Sequence, residues 1–544
     1  MKPPRRLLRP RTALPALPTL CRLRSVAAPA LRRALPALVA LAAFAVLVLA
    51  TTTAAARPGG GSSFGGSSRS GGGSSGGSGS GSGGGGDCTW AIEIVVFLFQ
   101  LTIEHPAVGV PLDIVLIFAI WWGVRQNSRS KAQTGWDSAN AAAASAAPVV
   151  SATPSRLVRK QLFLVAAQAD PGFSLVLFED FAYALYAAVH EARGRNDAHA
   201  LSPYLGMETI GQLANTARGL SEVRAIVVGA LIYVKTIASS AARRIEVTLE
   251  FQTNYTEVEA SGHQQAYYVV ERWTLSRSRA ARSRKPETAR VIGCPNCGAP
   301  LSSIRGNTCS YCNQVVNTGE FDWMVDSIVE IEKTKRPPQL TGDTAEVGND
   351  FPTVIDPEAQ ARYQALSLKD PALSWDRITA RVALVFNEMQ VAWSTLEWKR
   401  ARPFVSDQLF QMLSYWMDTY RREKMRNVTE NGRIVRIELC AVISDIHYDA
   451  VTLRLFATSL DYTITDAGKV VSGSRSKERA YTEYWTLIRG SGARTREVSN
   501  RVCPNCGAPL DITMTGNCTH CQAKVTAGEF DWVLSRIEQD DVYG

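Results

Sequence analysis

Two cysteine quartets of identical spacing constrain this chain more than any other feature. Cys294-Pro-Asn-Cys297 with Cys309 and Cys312 recurs as Cys503-Pro-Asn-Cys506 with Cys518 and Cys521, every cysteine displaced by 209 positions. Phe321-Asp322-Trp323 and Phe530-Asp531-Trp532 keep that displacement. Upstream, Glu271-Arg-Trp273-Thr-Leu275 matches Glu483-Tyr-Trp485-Thr-Leu487 at 212, and Asp170-Pro171 matches Asp370-Pro371 at 200. Matches that keep their order while the offset drifts describe a tandem duplication with small insertions. The expected units are larger domains at 150–282 and 353–492 and cysteine modules at 290–332 and 499–540. Between them, 333–352 carries Pro337-Pro338 and reads as a linker.

Each quartet is Cys-x2-Cys, eleven residues, Cys-x2-Cys. Proline stiffens the entry to the first knuckle, and the glycine after its second cysteine allows a tight turn whose amides aim at the sulfurs. Four thiolates suit a tetrahedral zinc ion with no coordination position left open, so the expectation is two structural zinc ribbons. Disulfides are the competing reading and require an oxidising compartment. His520 is not counted as a ligand, because its counterpart is Tyr311. Cys21, Cys88 and Cys440 stand outside the quartets.

The larger domains read as helices first and strands after. Phe178, Ala182, Leu185 and Val189 recur at helical spacing, as do Ile378, Val382, Val385 and Met389. Ile245, Val247, Leu249 and Phe251 alternate with Arg244, Glu246, Thr248 and Glu250, the period of a half-buried strand, and Val451, Leu453 and Leu455 repeat it. That order predicts an α+β class with helices on one face of an antiparallel sheet.

The net charge of +9 does not belong to these domains. Residues 1–56 hold nine basic residues and no acidic ones, so 57–544 balance to zero. Nucleic-acid binding needs a basic surface, and this balance argues against it. The basic stretch runs into an apolar one at 34–50 and then Ala54-Ala55-Ala56, the pattern of a secretory leader over 1–56. Residues 57–89 form a tether rich in glycine and serine, which has too little apolar area to fold. Over 90–126 the expectation is an interfacial helix (90–103) and a transmembrane helix (107–124) that ends on Trp121-Trp122. Arg125, Arg129 and Lys131 follow at once, so the positive-inside rule places the C-terminal domains in the cytoplasm of a single-pass protein.

A glycine/serine tract (59–66), the segment Glu-His-Pro-Ala-Val-Gly-Val-Pro over 104–111, and a domain closing on Glu-x-Trp-Thr-Leu around Trp273 and Trp485 together resemble a known family. These are the bacterial proteins whose domain is similar to the C-terminal domain of subunit 44 of the mitochondrial inner-membrane import translocase. The resemblance implies a cone-like fold similar to nuclear transport factor 2, with a helix-lined apolar pocket. It also implies location at the bacterial inner membrane, membrane lipid and protein partners, and no enzymatic activity. Two copies, zinc modules and an own membrane segment depart from the mitochondrial member, whose domain scaffolds the import motor.

The six histidines do not recur at equivalent positions, and no nucleophile elbow is present. Glu271 shares a strand face with Trp273 and Leu275, and Glu483 with Trp485 and Leu487. Each glutamate either pairs with an arginine, stays wet at the strand end, or projects into an apolar pocket, there to orient a ligand's polar head against the tryptophan. The expected function is therefore a non-catalytic, membrane-anchored scaffold or binding protein. The alternative is an enzyme using Glu271 or Glu483 as acid or base, which a carboxyl pKa raised inside a closed pocket would favour.

Overall fold

The computed structural model describes residues 154–237, 243–289, 292–335, 348–497, 499 and 501–543. The leader, the tether and the two apolar segments at 90–126 lie outside the described residues. Among the described residues no helix is long and apolar enough to cross a membrane.

The first domain runs α1 (Pro154–Ala169), α2 (Leu175–Gly194) and α3 (Met207–Thr216), then β1 (Leu220–Ile237), β2 (Arg244–Glu259) and β3 (Gln264–Ser278). Ser174 starts α2 by accepting a hydrogen bond from the Leu177 amide, which satisfies one of the helix's orphan donors. Phe178, Ala182, Leu185 and Val189 then face inward, and Ile245, Val247, Leu249 and Phe251 meet them from the sheet. A two-residue hairpin, β4 (Ile304–Arg305) with β5 (Thr308–Cys309), lies in the first cysteine module. The chain then returns as β6 (Met324–Lys335), which pairs antiparallel with β3, so the sheet order is β1-β2-β3-β6. The module is thus inserted between the third and fourth strands of the sheet. The residues assigned from the sequence partly to the module and partly to the linker form this fourth strand.

The second domain has the same order: α4 (Ala359–Lys369), α5 (Trp375–Thr395), α6 (Asp407–Arg422), β7 (Met425–Ser444), β8 (Tyr448–Thr465) and β9 (Val470–Gly490). After the second module β10 (Val533–Glu538) closes the sheet β7-β8-β9-β10. Trp273 pairs with Ile328 across β3 and β6, and Trp485 with Ile537 across β9 and β10. Ser374 caps α5 and Ser406 caps α6 in the manner of Ser174.

The helical face of the first domain packs on the outer sheet face of the second, where Val176 and Leu177 are buried against Tyr448, Ala450, Ile488 and Val533. All but one of the matching positions are polar or charged, the exception being Met324 in place of Val533. Asp376 and Arg377 replace the two α2 residues, while Arg244, Glu246 and Ser276 stand where the second sheet has Tyr448, Ala450 and Ile488. A head-to-tail contact of this kind propagates into a filament when both surfaces are repeated. Here each surface is apolar in one copy, so the contact stops at two domains.

Glu179 of α2 lies at this seam. It takes Arg159 through two bonds (2.7 and 3.3 Å), accepts the Tyr233 hydroxyl at 2.8 Å and meets Arg536 of β10 at 3.2 Å. Burial pushes its carboxyl up, but Arg159 and Arg536 more than reverse this and hold it at about 2. A carboxyl depressed in the fold stabilises it above the unfolded value of 4.5, and loses that contribution as pH falls toward 2. Glu179→Gln should therefore cost roughly 3 kcal/mol at neutral pH and converge with the parent in acid. Denaturant unfolding at pH 7 and pH 2.5 checks this; a difference that does not shrink in acid would contradict it.

Candidate metal centres and the buried glutamates

In each quartet the four sulfurs lie within 4.8 Å of one another. The separations Cys294–Cys312 and Cys297–Cys309 are both 3.8 Å, and Cys503–Cys521 is 3.9 Å. Disulfide-bonded sulfurs would be about 2.05 Å apart. Four sulfurs at 2.3 Å from a tetrahedral zinc stand about 3.8 Å apart, so the donor set and the spacing both fit a metal ion such as zinc.

The turns that build this spacing are the same in both modules. Gly298 and Gly507 take φ of +78° and +74°, which side chains with a Cβ rarely adopt, and their amides donate to the carbonyls of Cys294 and Cys503. The second knuckles close on Asn313 and Gln522, also left-handed, which donate to the carbonyls of Cys309 and Cys518. Cys294, Cys309, Cys503 and Cys518 are buried, whereas Cys297 and Cys506 reach solvent. His520 is exposed and lies outside the cluster. With all four donors supplied by protein, such a centre holds a fold together and offers no open position for catalysis.

The modules are fastened to their domains by different side chains. Tyr204 donates to the Gly293 carbonyl at 2.7 Å and Arg284 pairs with Asp322 at 2.9 Å. In the second copy Arg402 donates to the Met514 carbonyl at 2.9 Å and Lys524 pairs with Asp407 at 2.6 Å.

Glu271 and Glu483 lie on the core-facing side of their strands, 4% and 2% exposed. Each accepts the indole N–H of the tryptophan two residues on, Trp273 or Trp485, at 2.9 Å. Glu271 is further bonded to His190 Nε2 at 3.0 Å. Tyr186, His190, Phe251, Tyr255 and Trp273 crowd around it, with neighbouring rings 4.5 to 6.0 Å apart. Burial raises the Glu271 carboxyl, and the His190 charge and hydrogen bond with the Trp273 bond bring it below the ordinary value. That direction is opposite to the one a general acid requires. The partner of Glu271 is thus a histidine and not an arginine. His190 continues a legible stripe, since Tyr186, His190 and Arg193 recur at four and three residues on α2. At the equivalent position the second domain has Gln390, which donates to the Tyr481 hydroxyl at 3.3 Å.

A wide groove of about 830 Å³ runs between the turn Trp398–Phe404, α6 and the second module. Trp398, Phe410, Met417 and Leu510 line it together with charged residues of both signs, among them Lys399, Arg421, Glu397 and Asp418.

No curated protein matches the chain. The family model described as the Tim44-like domain matches residues 359–497, from the first residue of α4 to just beyond β9. That stretch of the second copy is a Tim44-like domain.

Proposed function

We propose that this protein is a non-catalytic scaffold or binding protein, anchored in the bacterial inner membrane through 90–126, with both domains in the cytoplasm. Two structural zinc ions hold its cysteine modules, and its partners are proteins or lipid at the membrane surface. The Tim44-like domain at 359–497 carries this reading, because that family is one of membrane-associated binding domains. The groove beside α6, with its apolar base and mixed charges, supplies a surface suited to a protein partner. Glu271, enclosed by rings and held ionised by His190, has the role of a core carboxylate.

The test uses the full chain in bacterial cells. Carbonate-washed membranes should retain it, and protease added to spheroplasts should leave the region 154–543 intact. Recovery in the soluble fraction would remove the anchor, and digestion from outside would reverse the topology. Glu271→Gln with Glu483→Gln should still complement a strain lacking the protein. If this double variant keeps its metal and its fold but loses complementation, the enzyme reading takes over.

A further inference from the structure

We infer that the seam between the two domains is a binding site for a small amphipathic anion: one short acyl chain or ring carrying a single carboxylate or phosphate. A pocket of about 240 Å³ opens where α1 meets the second domain. Its apolar wall is assembled from distant segments, with Phe163 and Leu164 on α1, Leu231 on β1, Ile355 before α4, Ile443 on β7 and Val542 near the end of the chain. Neither domain makes this wall alone. Leu157 and Leu164, seven residues apart on one face of α1, are 54% and 55% exposed, and both line the pocket.

The charge around it is uneven in a telling way. Five cations line the pocket: Arg156, Arg159, Lys160, Arg362 and Arg536. Arg159 and Arg536 converge on Glu179, while Lys160 and Arg362 converge on Glu358, with Asp356 3.8 Å from Lys160. Glu538, also in the lining, acts on Arg536. Arg156 alone of the five has no hydrogen bond or ion pair among the described residues. Its guanidinium lies 5.1 Å from the centre of the Tyr543 ring, and that ring is itself stacked on Tyr484 at 3.8 Å. A flat cation resting on a fixed ring, beside an apolar pocket, is a ready partner for a carboxylate or phosphate oxygen.

Size narrows the ligand further. Pockets for drug-sized molecules run from about 300 to 1,000 Å³, so this one encloses a single short chain and not a two-chain phospholipid. A ligand here touches both domains and would tighten their docking by binding only the assembled state. This site shares no residue with the α6 groove, so it stands whether or not the scaffold reading does.

The experiment is calorimetric titration of the full chain, held in phosphatidylcholine nanodiscs, with octanoate, octyl phosphate, octanamide and inorganic phosphate. Either octyl anion should bind at least tenfold tighter than octanamide and than inorganic phosphate. Arg156→Glu should remove that advantage and leave octanamide unchanged, Arg156→Lys should keep most of it, and Leu164→Asp should weaken every octyl ligand. An unchanged cooperative unfolding transition in each variant reports that the fold survives. Equal binding of octanamide and octanoate would overturn the proposal, as would inorganic phosphate binding as well as octyl phosphate. It would equally fail if Arg156→Glu left octanoate binding intact or if no probe bound.

Discussion

Replacing Cys518 with serine in the full chain is expected to lower its zinc content from two ions to one, and replacing Cys309 as well should bring it to zero. Both cysteines are fully buried and each opens the second knuckle of its quartet. The effect should be large because little else holds a module together. The first has a hairpin of two residues per strand and a core of Cys294, Cys309 and Val316; the second has a core of Cys503, Ile512, Cys518 and Val525. For modules this small the metal supplies the folding free energy, on the order of 10 kcal/mol in comparable ribbons. Cys518→Ser should therefore unfold residues 503–521 locally, which hydrogen exchange would register as lost protection there while α5 and β8 stay protected. Cys440→Ser is the control. That thiol is buried on β7, pushed upward by desolvation, and belongs to neither quartet. Two ions retained in Cys518→Ser would exclude these cysteines as ligands, and a parent chain holding no metal under reducing conditions would exclude the centres altogether.

The quartets were legible because a metal site is specified by residue type and short spacing, both visible in one dimension. The inward stripes of α2 and α5 and the alternation of β2 and β8 were legible for the same reason. β6 was harder to read. It is an edge strand with a bulge near Glu330, and with Val329 and Ile331 exposed its pattern carries no clean period. The seam was invisible for a different reason: Val176 and Leu177 against Asp376 and Arg377 is a difference between copies, and only the fold tells which surface is covered. His190 lay on a visible stripe, yet its pairing with Glu271 joins positions 81 residues apart. Asp170-Pro171, Asp370-Pro371 and the two Phe-Asp-Trp segments mark the repeat in the sequence. Their meaning required the two arginines on the sheet that they meet.

Those arginines carry the second large effect. In the second domain Arg489 Nη1 lies 2.7 Å from Asp370 Oδ2, and Asp370 also accepts the Thr495 amide at 2.8 Å and its hydroxyl at 2.7 Å. Asp449 lies 3.7 Å from the other arm of the guanidinium, whose centre is 4.5 Å from the centre of the Trp532 ring. One buried cation thus ties the α4–α5 turn, β8, the end of β9 and the exit from the cysteine module. The first domain repeats the core of this arrangement with Arg277, Asp170, Ser283 and Trp323. Arg489→Leu leaves two carboxylates in a dry site with no cation, and breaking a buried pair in this way costs about 3–5 kcal/mol. Asp370→Asn should cost less, because it removes the orphaned charge and keeps an oxygen for the Thr495 donors. Adding Asp370→Leu to Arg489→Leu should recover part of the loss. Burial raises the Asp370 carboxyl, while the Thr495 and Arg489 hydrogen bonds bring it below its ordinary value. Its contribution is accordingly present above the ordinary carboxylate range and lost as pH falls through the folded value. Urea unfolding at pH 7 and pH 3 should show the gap between the parent and Arg489→Leu narrowing in acid. A loss under about 1 kcal/mol at pH 7, well short of the expected cost of an unpaired buried charge, would mean that Trp532 and the module hold the turn without the ion pair.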